Sequence, residues 1–354
     1  MGHSPESQSS PPIELASGVD ALYLSGRGEI PSALFDDFER LKVTAAEAGA
    51  PVDVRLAGYP FRVLGSGWGK YRYCAVHEVA RVGFTPSDAL PCVRVQPTSL
   101  GLHALGPDVL VLWVRNLLDA LGIDATLQVA RLDLHADFHG LDIAAEERSN
   151  FVGYSTQRAL YEVDEALSGL NFGSRGGALY ARIYDKTREL DGKGDDWWHD
   201  IWGTRYDSER PVIRVEFEFS RTGLREFYID TPDDAFAQLG ALWAYATGTW
   251  LSLRAPTNDD TRSRWPVAPR WHAVQRATLA GNSLPAERIK AGQKAGSLRK
   301  LMPQLVGCLT SAAVHLGTDD PVATIAGLAP HLAHHEAQTG ISFAERVDKK
   351  RRRL

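Results

Sequence analysis

The pattern of apolar positions changes about two thirds of the way along the chain. In the earlier part, short segments with alternating apolar residues predict β-strands separated by glycine- and proline-containing turns. Apolar residues three and four positions apart predict two helices among them, Ser32–Ala48 and Pro107–Ala120. The predicted strands are Val19–Ser25, Val52–Ala57, Phe61–Leu64, Tyr71–Glu78, Ala80–Phe84, Cys92–Pro97, Thr126–Phe138, Ala178–Asp185 and Val212–Ser220.

Helical spacing dominates after Thr231. The predicted helices there are Asp233–Ser252, Trp271–Ala280, Ala286–Ala291, Leu298–Leu316, Pro321–Thr339 and Ser342–Arg352. Strands followed by a run of helices favour an α+β domain and then a helical one. We therefore predict a disordered tail over residues 1–18, an α+β catalytic domain over 19–252 and a basic helical DNA-binding region over 253–354.

Three of the predicted strands combine an apolar face with a face of ionisable side chains. Alternate side chains of a strand point to opposite faces, so residues two apart lie together. A solvated face of an antiparallel sheet also alternates in this way, but Asp and Glu are disfavoured in strands. The ionisable faces contain Arg131, Asp133, His135 and Asp137; Tyr180, Arg182, Tyr184 and Lys186; and Arg214, Glu216 and Glu218.

These residue types suit metal-assisted phosphoryl transfer. Clustered carboxylates repel one another unless a cation lies among them. Carboxylate oxygens, with or without an imidazole nitrogen, bind divalent ions such as Mg²⁺ or Mn²⁺. We expect Asp133 and Glu216 to hold such an ion together with Asp137 or His135.

A tyrosine on the neighbouring strand is the candidate nucleophile. Tyr184 is the first choice because Arg182 and Lys186 lie on the same face, where their charges would favour the phenolate. Tyr180 is the second choice. A packed tyrosine without a catalytic role is the alternative for either.

The same three strands resemble motifs of the replication initiation factor family. This family comprises rolling-circle plasmid and phage Rep proteins and the related relaxases of integrative conjugative elements. The likeness covers about Val129–Arg221, and its second block is the most specific. The blocks are Val129–Phe138 (VARLDLHADF), Phe172–Lys186 (FGSRGGALYARIYDK) and Val212–Phe219 (VIRVEFEF).

The resemblance implies a nicking and joining enzyme that links Tyr184 covalently to a 5′ end of DNA. It also implies a metal site made by Asp133, Asp137 and Glu216, on an antiparallel sheet related to the HUH nucleases. Paired histidines of the H-x-H type are absent from these strands. Whether such a protein initiates plasmid or phage replication or serves conjugative transfer stays open, because the chemistry is shared.

Composition and charge predict the cellular compartment of the protein and the class of its partner. The chain has 354 residues, 44% of them hydrophobic, which is globular composition, and no apolar run approaches the length of a membrane span. Its three scattered cysteines and the lack of a signal-peptide pattern predict a cytoplasmic protein. The last hundred residues carry 15 basic against 8 acidic side chains, although the net charge is −5, and this surplus favours a polyanion as partner.

DNA is the expected partner, at an origin that is single-stranded or cruciform at the nick site. The resemblance adds a helicase and a second copy of the chain as candidate partners. A tryptophan-rich insert, Gly192–Glu209, would either stack on bases or form a hydrophobic plug. The competing functions are a non-catalytic DNA-binding regulator and a hydrolytic metal-dependent nuclease. The candidate DNA contacts are Arg175, Arg131, Arg214, Arg270, Lys349, Lys350 and Arg351.

Overall fold

The chain forms two compact units, divided after Glu287. Within the residues that the structure describes, the first unit contains the sheet and the second contains three helices. The computed structural model describes residues 11–163, 166–191, 197–281, 283, 285, 286, 288 and 298–351.

An antiparallel sheet of eleven strands forms the first unit, which agrees with the predicted α+β class. The order of the strands across the sheet is β2-β3-β4-β5-β6-β1-β7-β12-β11-β10-β9. A separate two-stranded sheet pairs β13 with β8. The strands are β1 (Ile13–Glu29), β2 (Val52–Leu56), β3 (Tyr59–Val63), β4 (Tyr73–Val76), β5 (Ala80–Phe84), β6 (Val93–Pro97), β7 (Asp124–His139), β8 (Phe151–Gly153), β9 (Arg158–Val163), β10 (Ala166–Phe172), β11 (Leu179–Asp185), β12 (Ile213–Ser220) and β13 (Leu251–Leu253).

The sheet has two halves that meet at its longest strands, β1 and β7. Each half starts with one of these central strands, and its last strand, β6 or β12, returns to lie beside the first. Neighbouring strands are antiparallel throughout, so residues paired across strands share a face. The two halves therefore share one core face and one opposite face.

The pairing of β1 with β7 contains two extra residues on β1 and one on β7. Leu15 and Asp20 are the residues of β1 that the register skips, and Ala130 is the one on β7. An extra residue of this kind is left out of the regular alternation of the strand. Leu15 packs against Trp198 and Trp202. Asp20 joins the face that carries Asp133 and Glu216.

Helices cover the core face of the sheet. Phe38 and Val114 pack there with Leu132, Phe217 and Trp243 in one buried cluster. The helices of the first unit are α1 (Ser32–Ala48), α2 (Ser99–Leu105), α3 (Pro107–Ala120), α4 (Lys186–Leu190), α5 (Trp197–Trp202), α6 (Arg221–Glu226), α7 (Pro232–Phe236), α8 (Leu239–Ala244) and α9 (Pro269–Gln275).

The predicted domain boundaries differ from the structure at two places. Strand β1 begins at Ile13, because its backbone pairs with β7 as far as His139, so residues 13–18 are not a tail. The rest of the predicted tail, up to residue 10, lies outside the described residues. The first unit also extends past Ser252, where the prediction ended it. A strand, β13, replaces the end of the predicted helix Asp233–Ser252.

The segment after β13 belongs to the sheet unit because its backbone and side chains bond to it. The amide of Ala268 donates to the carbonyl of Leu253 at 2.9 Å. The indole of Trp271 is fully buried, and its N–H donates to the carbonyl of Thr247 at 2.9 Å. The predicted boundary at residues 252–253 is therefore corrected to the neighbourhood of Glu287.

The second unit contains three helices with exposed apolar side chains. They are α10 (Leu298–Leu316), α11 (Pro321–Thr339) and α12 (Phe343–Arg351), and α10 packs against α11. The bounds of α10 and α11 agree with the prediction. Among the described residues, no helix combines the length and the hydrophobicity needed to cross a bilayer.

Replacing Trp271 tests the corrected boundary. We expect Trp271→Ala to lower the free energy of unfolding of the sheet unit by about 3–5 kcal/mol, because it leaves a cavity and removes one of the hydrogen bonds that the Thr247 carbonyl accepts. Denaturant unfolding monitored by circular dichroism measures the change. His272→Ala, an exposed neighbour on the same helix, is the control and should shift stability by no more than about 0.5 kcal/mol. Equal effects would contradict the boundary drawn here.

Candidate active site

The ionisable side chains predicted to share a face do so, on the face opposite the core. We call this surface the polar face. Strand register aligns its members in three rows across β7, β12 and β11. The rows are Asp133, Glu218 and Tyr180; His135, Glu216 and Arg182; and Asp137, Arg214 and Tyr184.

A fully buried arginine lies at the centre of the polar face. Arg214 donates to both carboxylate oxygens of Asp137, from Nε at 2.7 Å and from Nη2 at 2.8 Å. Its Nη1 donates to Asp20 Oδ1 at 2.6 Å, and the ring of Trp198 lies 4.1 Å from its guanidinium carbon. Burial opposes the charge on both carboxyls, but Arg214 holds the pKa of each below its ordinary value. Arg214 thus neutralises two buried acids.

Tyr184 contacts another buried acid, Glu216. Its hydroxyl donates to Glu216 Oε2 at 3.2 Å, and Arg182 forms a salt bridge with the other oxygen of Glu216. Burial and the charge of Asp20 raise the pKa of Glu216 to about 7, despite the salt bridge to Arg182. Burial and the negative charge of Glu216 raise the pKa of Tyr184 well above its usual value. The phenol is therefore protonated near neutral pH, next to a carboxyl that titrates there.

This result corrects the predicted activation of Tyr184. Arg182 lies over the tyrosine ring, with its guanidinium carbon 5.8 Å from the ring centre, but it pairs with Glu216. Lys186 forms a salt bridge with Glu189 at 2.5 Å, and its Nζ lies 5.0 Å from the ring centre of Trp198. Neither cation lowers the pKa of the phenol below its ordinary value, because burial dominates.

A cleft of about 660 Å³ opens beside Tyr184. Three arginines of the cleft wall come from separate elements: Arg175 from the loop between β10 and β11, Arg182 from β11 and Arg188 from α4. Arg175 is exposed, and positive φ angles at Gly173 and Gly176 form the turn that carries it. Asp185, Glu189 and Asp191 also line the cleft, and Arg188 pairs with Asp185 at 3.5 Å. The cleft thus places a tyrosine hydroxyl beside arginines and acids.

The three predicted metal ligands do not converge on one position. Asp133 pairs with Arg131, Asp137 with Arg214 and Glu216 with Arg182. No group of three His, Cys, Asp or Glu side chains in the described part of the chain is arranged to hold a metal ion. The donor set therefore does not fit a shared Mg²⁺ or Mn²⁺. The physical reason is that each carboxylate already has an arginine as its counter-charge.

His135, the alternative ligand, is buried, and neither ring nitrogen has a hydrogen-bond partner among the described residues. Burial and the charge of Arg214 lower the pKa of His135 to about 3, so the imidazole is neutral. Its ring lies 5.6 Å from that of His103 and 5.7 Å from that of Trp198, centre to centre. Burial has the opposite effect on the pKa of the neighbouring acid and raises that of the Asp133 carboxyl to about 6.

The tryptophan-rich insert forms a hydrophobic plug. Trp198 and Trp202 of α5 are buried with Leu15 and Val212, and the Trp202 indole donates to Asp137 Oδ2 at 2.8 Å. These two rings therefore do not stack on bases. The part of the insert over residues 192–196 lies outside the described residues.

The predicted DNA contacts fall into four groups. Arg131 pairs with Asp133 and Glu218, and Arg270 pairs with Glu147. The prediction that Arg214 contacts DNA is wrong. Arg214 is fully buried against Trp198, so no ligand can reach it. Arg175 and Lys349 are exposed. The side chains of Lys350 and Arg351 lie outside the described residues.

Tyr180 and Asp20 complete the comparison with the sequence. Tyr180 is buried and lies opposite Glu218, two residues along β11 from Arg182. The sequence analysis missed Asp20 and His103, which contact each other beside Arg214. An Asp within the apolar segment VDALYLS was the available signal, but regular alternation would have placed it with Leu22 on the core face.

Comparisons with known proteins give one structural likeness to report. The chain is similar to the structure of a rolling circle replication initiator protein from Geobacillus stearothermophilus, at 16% sequence identity and a TM-score of 0.45. The match covers 77% of this chain and 98% of that one. It describes a likeness of fold and does not extend to site residues. No protein-family model and no curated protein matches the sequence.

Removing Arg214 tests its role as the counter-charge of two buried acids. We expect Arg214→Met to lower the free energy of unfolding by about 3–5 kcal/mol near pH 8, because Asp137 and Asp20 lose their arginine counter-charge. The loss should shrink toward pH 5, since unpaired buried carboxyls take up protons more readily.

Denaturant unfolding at both pH values measures the effect. The double variant Arg214→Met/Asp137→Asn should regain part of the stability near pH 8, because it removes one of the two charges. A loss that does not change with pH, and that the double variant does not relieve, would indicate that Arg214 acts by packing alone.

Proposed function

We propose that this chain is a DNA strand-nicking and joining enzyme of the rolling-circle replication initiator or relaxase type, with Tyr184 as its nucleophile. The observation that carries the proposal is the hydrogen bond from the Tyr184 hydroxyl to Glu216 at the wall of an arginine-lined cleft. The motif R-I-Y-x-K, which contains Tyr184 and resembles the family block, supports the same residue.

Glu216 is the proposed general base. A phenol attacks phosphorus only as it loses its proton, and the phenol of Tyr184 holds its proton tightly. Glu216 Oε2 accepts the hydrogen bond of that phenol, and the pKa of Glu216 is raised to about 7. A base whose pKa lies near the working pH combines a useful deprotonated fraction with a strong drive to take up a proton.

The bond changes balance as follows. Tyr184 Oη forms a bond to phosphorus while its proton passes to Glu216, and the bond from phosphorus to the 3′ oxygen breaks. Water in the open cleft supplies the proton of the new 3′ hydroxyl, and the 5′ phosphate stays on Tyr184. The reverse sequence rejoins the strand, because a phosphotyrosine bond stores the energy of the broken phosphodiester.

The arginines supply the positive charge that this reaction needs. Arg175 and Arg188 line the cleft, and Arg182 lies over the Tyr184 ring and pairs with Glu216. Guanidinium groups bind phosphate oxygens in a fork and stabilise the charge that develops on them. Binding through Arg175 and Arg188 positions the phosphate beside the phenol.

Dependence on Mg²⁺ or Mn²⁺ stays a prediction. The carboxylates of the polar face do not fit a shared ion, so no step above uses one. Nicking assays in Mn²⁺ and in EDTA test the dependence directly.

The nucleophile is tested with Tyr184→Phe on supercoiled DNA that carries the origin. The wild-type protein should give open-circle product with protein attached, and the variant should give none, because the attacking oxygen is absent. Tyr180→Phe is the matched control on the same strand and should retain the covalent product. Binding without nicking by the wild-type protein would favour the non-catalytic regulator. Nicking that survives in both variants would favour a hydrolytic nuclease.

The base is tested by the pH dependence of nicking. Glu216 accepts a proton only when ionised, so the rate should rise about tenfold from pH 6 to pH 8, around a pKa of about 7. Glu216→Gln should lower the rate roughly 10²- to 10⁴-fold and remove this dependence. Melting temperatures of both proteins control for folding. A wild-type rate that does not change over this pH range, or a Gln variant that keeps the rise, would exclude Glu216 as the base.

A further inference from the structure

We propose that the half of the sheet formed by β1 to β6 carries a binding surface for single-stranded DNA, centred on Trp68. We call this the Trp68 surface and define it by Trp68, Lys70, Arg81 and Arg94. The inference rests on the proposed function for the identity of the partner, and it adds a second contact region to the cleft at Tyr184.

The indole of Trp68 contacts the guanidinium groups of two arginines of the sheet. The guanidinium carbon of Arg94 is 4.1 Å from the ring centre of Trp68, and that of Arg81 is 4.8 Å away. Gly83 leaves the space for the indole, since a Cβ there would lie 3.1 Å from Trp68 Cε3. The indole is half-buried and keeps part of its surface open to a ligand. A base can stack against such an aromatic and guanidinium group.

The loop that carries Trp68 is held by its own hydrogen bonds. The amide of Trp68 donates to the carbonyl of Tyr71 at 2.8 Å, and the amide of Tyr71 donates back at 3.1 Å. Gly69 takes the positive φ that this two-residue turn requires, which leaves Lys70 exposed at the tip. The surface is thus preorganised, which reduces the entropic cost of binding.

The arginines of the Trp68 surface differ from those around Tyr184 in their partners. Arg131, Arg182 and Arg214 each pair with a carboxylate. Arg81 donates to Cys74 Sγ at 3.1 Å, and neither Arg81 nor Arg94 pairs with a carboxylate in the described part of the chain. Arginines without an acidic partner can neutralise phosphates without first breaking a salt bridge.

The Trp68 surface and the Tyr184 cleft lie on the same face of the sheet. Gln96 on β6 pairs with Arg81 across the strands and donates from Nε2 to the hydroxyl of Tyr23 at 3.0 Å. The Arg131 guanidinium carbon then lies 5.1 Å from the ring centre of Tyr23. Arg131 contacts Glu218, which is two residues from Glu216 on β12. Polar and aromatic side chains therefore connect the two regions without a break.

The distance between them fits one strand of nucleic acid. β5 and β11 are five strand spacings apart, or about 24 Å. A stacked strand advances about 3.4 Å per nucleotide, so the path corresponds to about seven nucleotides. We favour a single strand over a duplex because only unpaired bases offer their faces to an indole.

The test measures binding of a fluorescent oligothymidine of about 20 nucleotides to the full chain by anisotropy. Trp68→Ala should weaken binding roughly 5- to 150-fold, the range found for loss of one stacked base. Trp68→Phe should restore most of the affinity because it keeps a ring. Arg81→Gln/Arg94→Gln should reduce the slope of log K against log salt by about 1.4, for two phosphate contacts.

Arg40→Gln is the matched control. Arg40 is an exposed arginine on α1, which packs on the core face through Phe38, and its loss should leave the affinity unchanged. Wild-type affinity in both Trp68→Ala and the double arginine variant would overturn the inference. An equal loss for a duplex of the same length would also overturn it, in favour of a surface that reads only backbone charge.

Nicking by the same proteins separates this inference from the proposed function. Covalent nicking by Tyr184 together with unchanged binding by the Trp68 surface variants would refute the binding surface and leave the nicking mechanism standing. Loss of binding in those variants, with no covalent product from the wild-type protein, would refute the nicking mechanism and leave the binding surface standing.

Discussion

The site depends on one electrostatic constraint: each acid buried on the polar face needs a positive charge within hydrogen-bond distance. A buried carboxylate without such a partner is costly, and an arginine two residues along the same strand or opposite on the next strand lies beside each one. Arg131, Arg182 and Arg214 fill this role for Asp133, Glu216 and Asp137. At Asp133 and Glu216 burial and neighbouring acids outweigh the arginine, and the pKa values of these two carboxyls rise.

Asp137 differs from Glu216 because its arginine is better placed. Arg214 donates hydrogen bonds to both oxygens of Asp137 and is itself fully buried, so this pair stays charged. Glu216 receives one contact from Arg182 and lies near other acids, which leaves it ready to take up a proton. The same face therefore contains a rigid charged pair and, one row away, a carboxyl that exchanges protons.

Local patterns in the sequence predicted much of the fold and part of the site. Periodicity identified α1, α3, α10 and α11 with their bounds, because capping residues and glycine stops act within a few residues. Alternation also identified which side chains of β7, β11 and β12 share a face. It could not reveal that Glu216 pairs with Arg182 and Asp137 with Arg214, because those pairings depend on register between strands distant in the chain.

The missed elements have a related cause. Leu251–Leu253 is a strand because Phe151–Gly153 pairs with it, although the sequence around it is helical in pattern. Asp20 and Leu15 were missed because each is an extra residue in β1. Tertiary pairing decided these positions, and no single segment contains that information.

The two extra residues of β1 have a consequence for the accuracy of folding. A long strand with perfect alternation can slide by two residues along its partner and still present the right faces. In β1 such a slide would move Asp20 away from Arg214 and would pull Leu15 out from under Trp198. The two extra residues therefore fix the register, and the longest strand pair of the sheet has essentially one alignment that satisfies both.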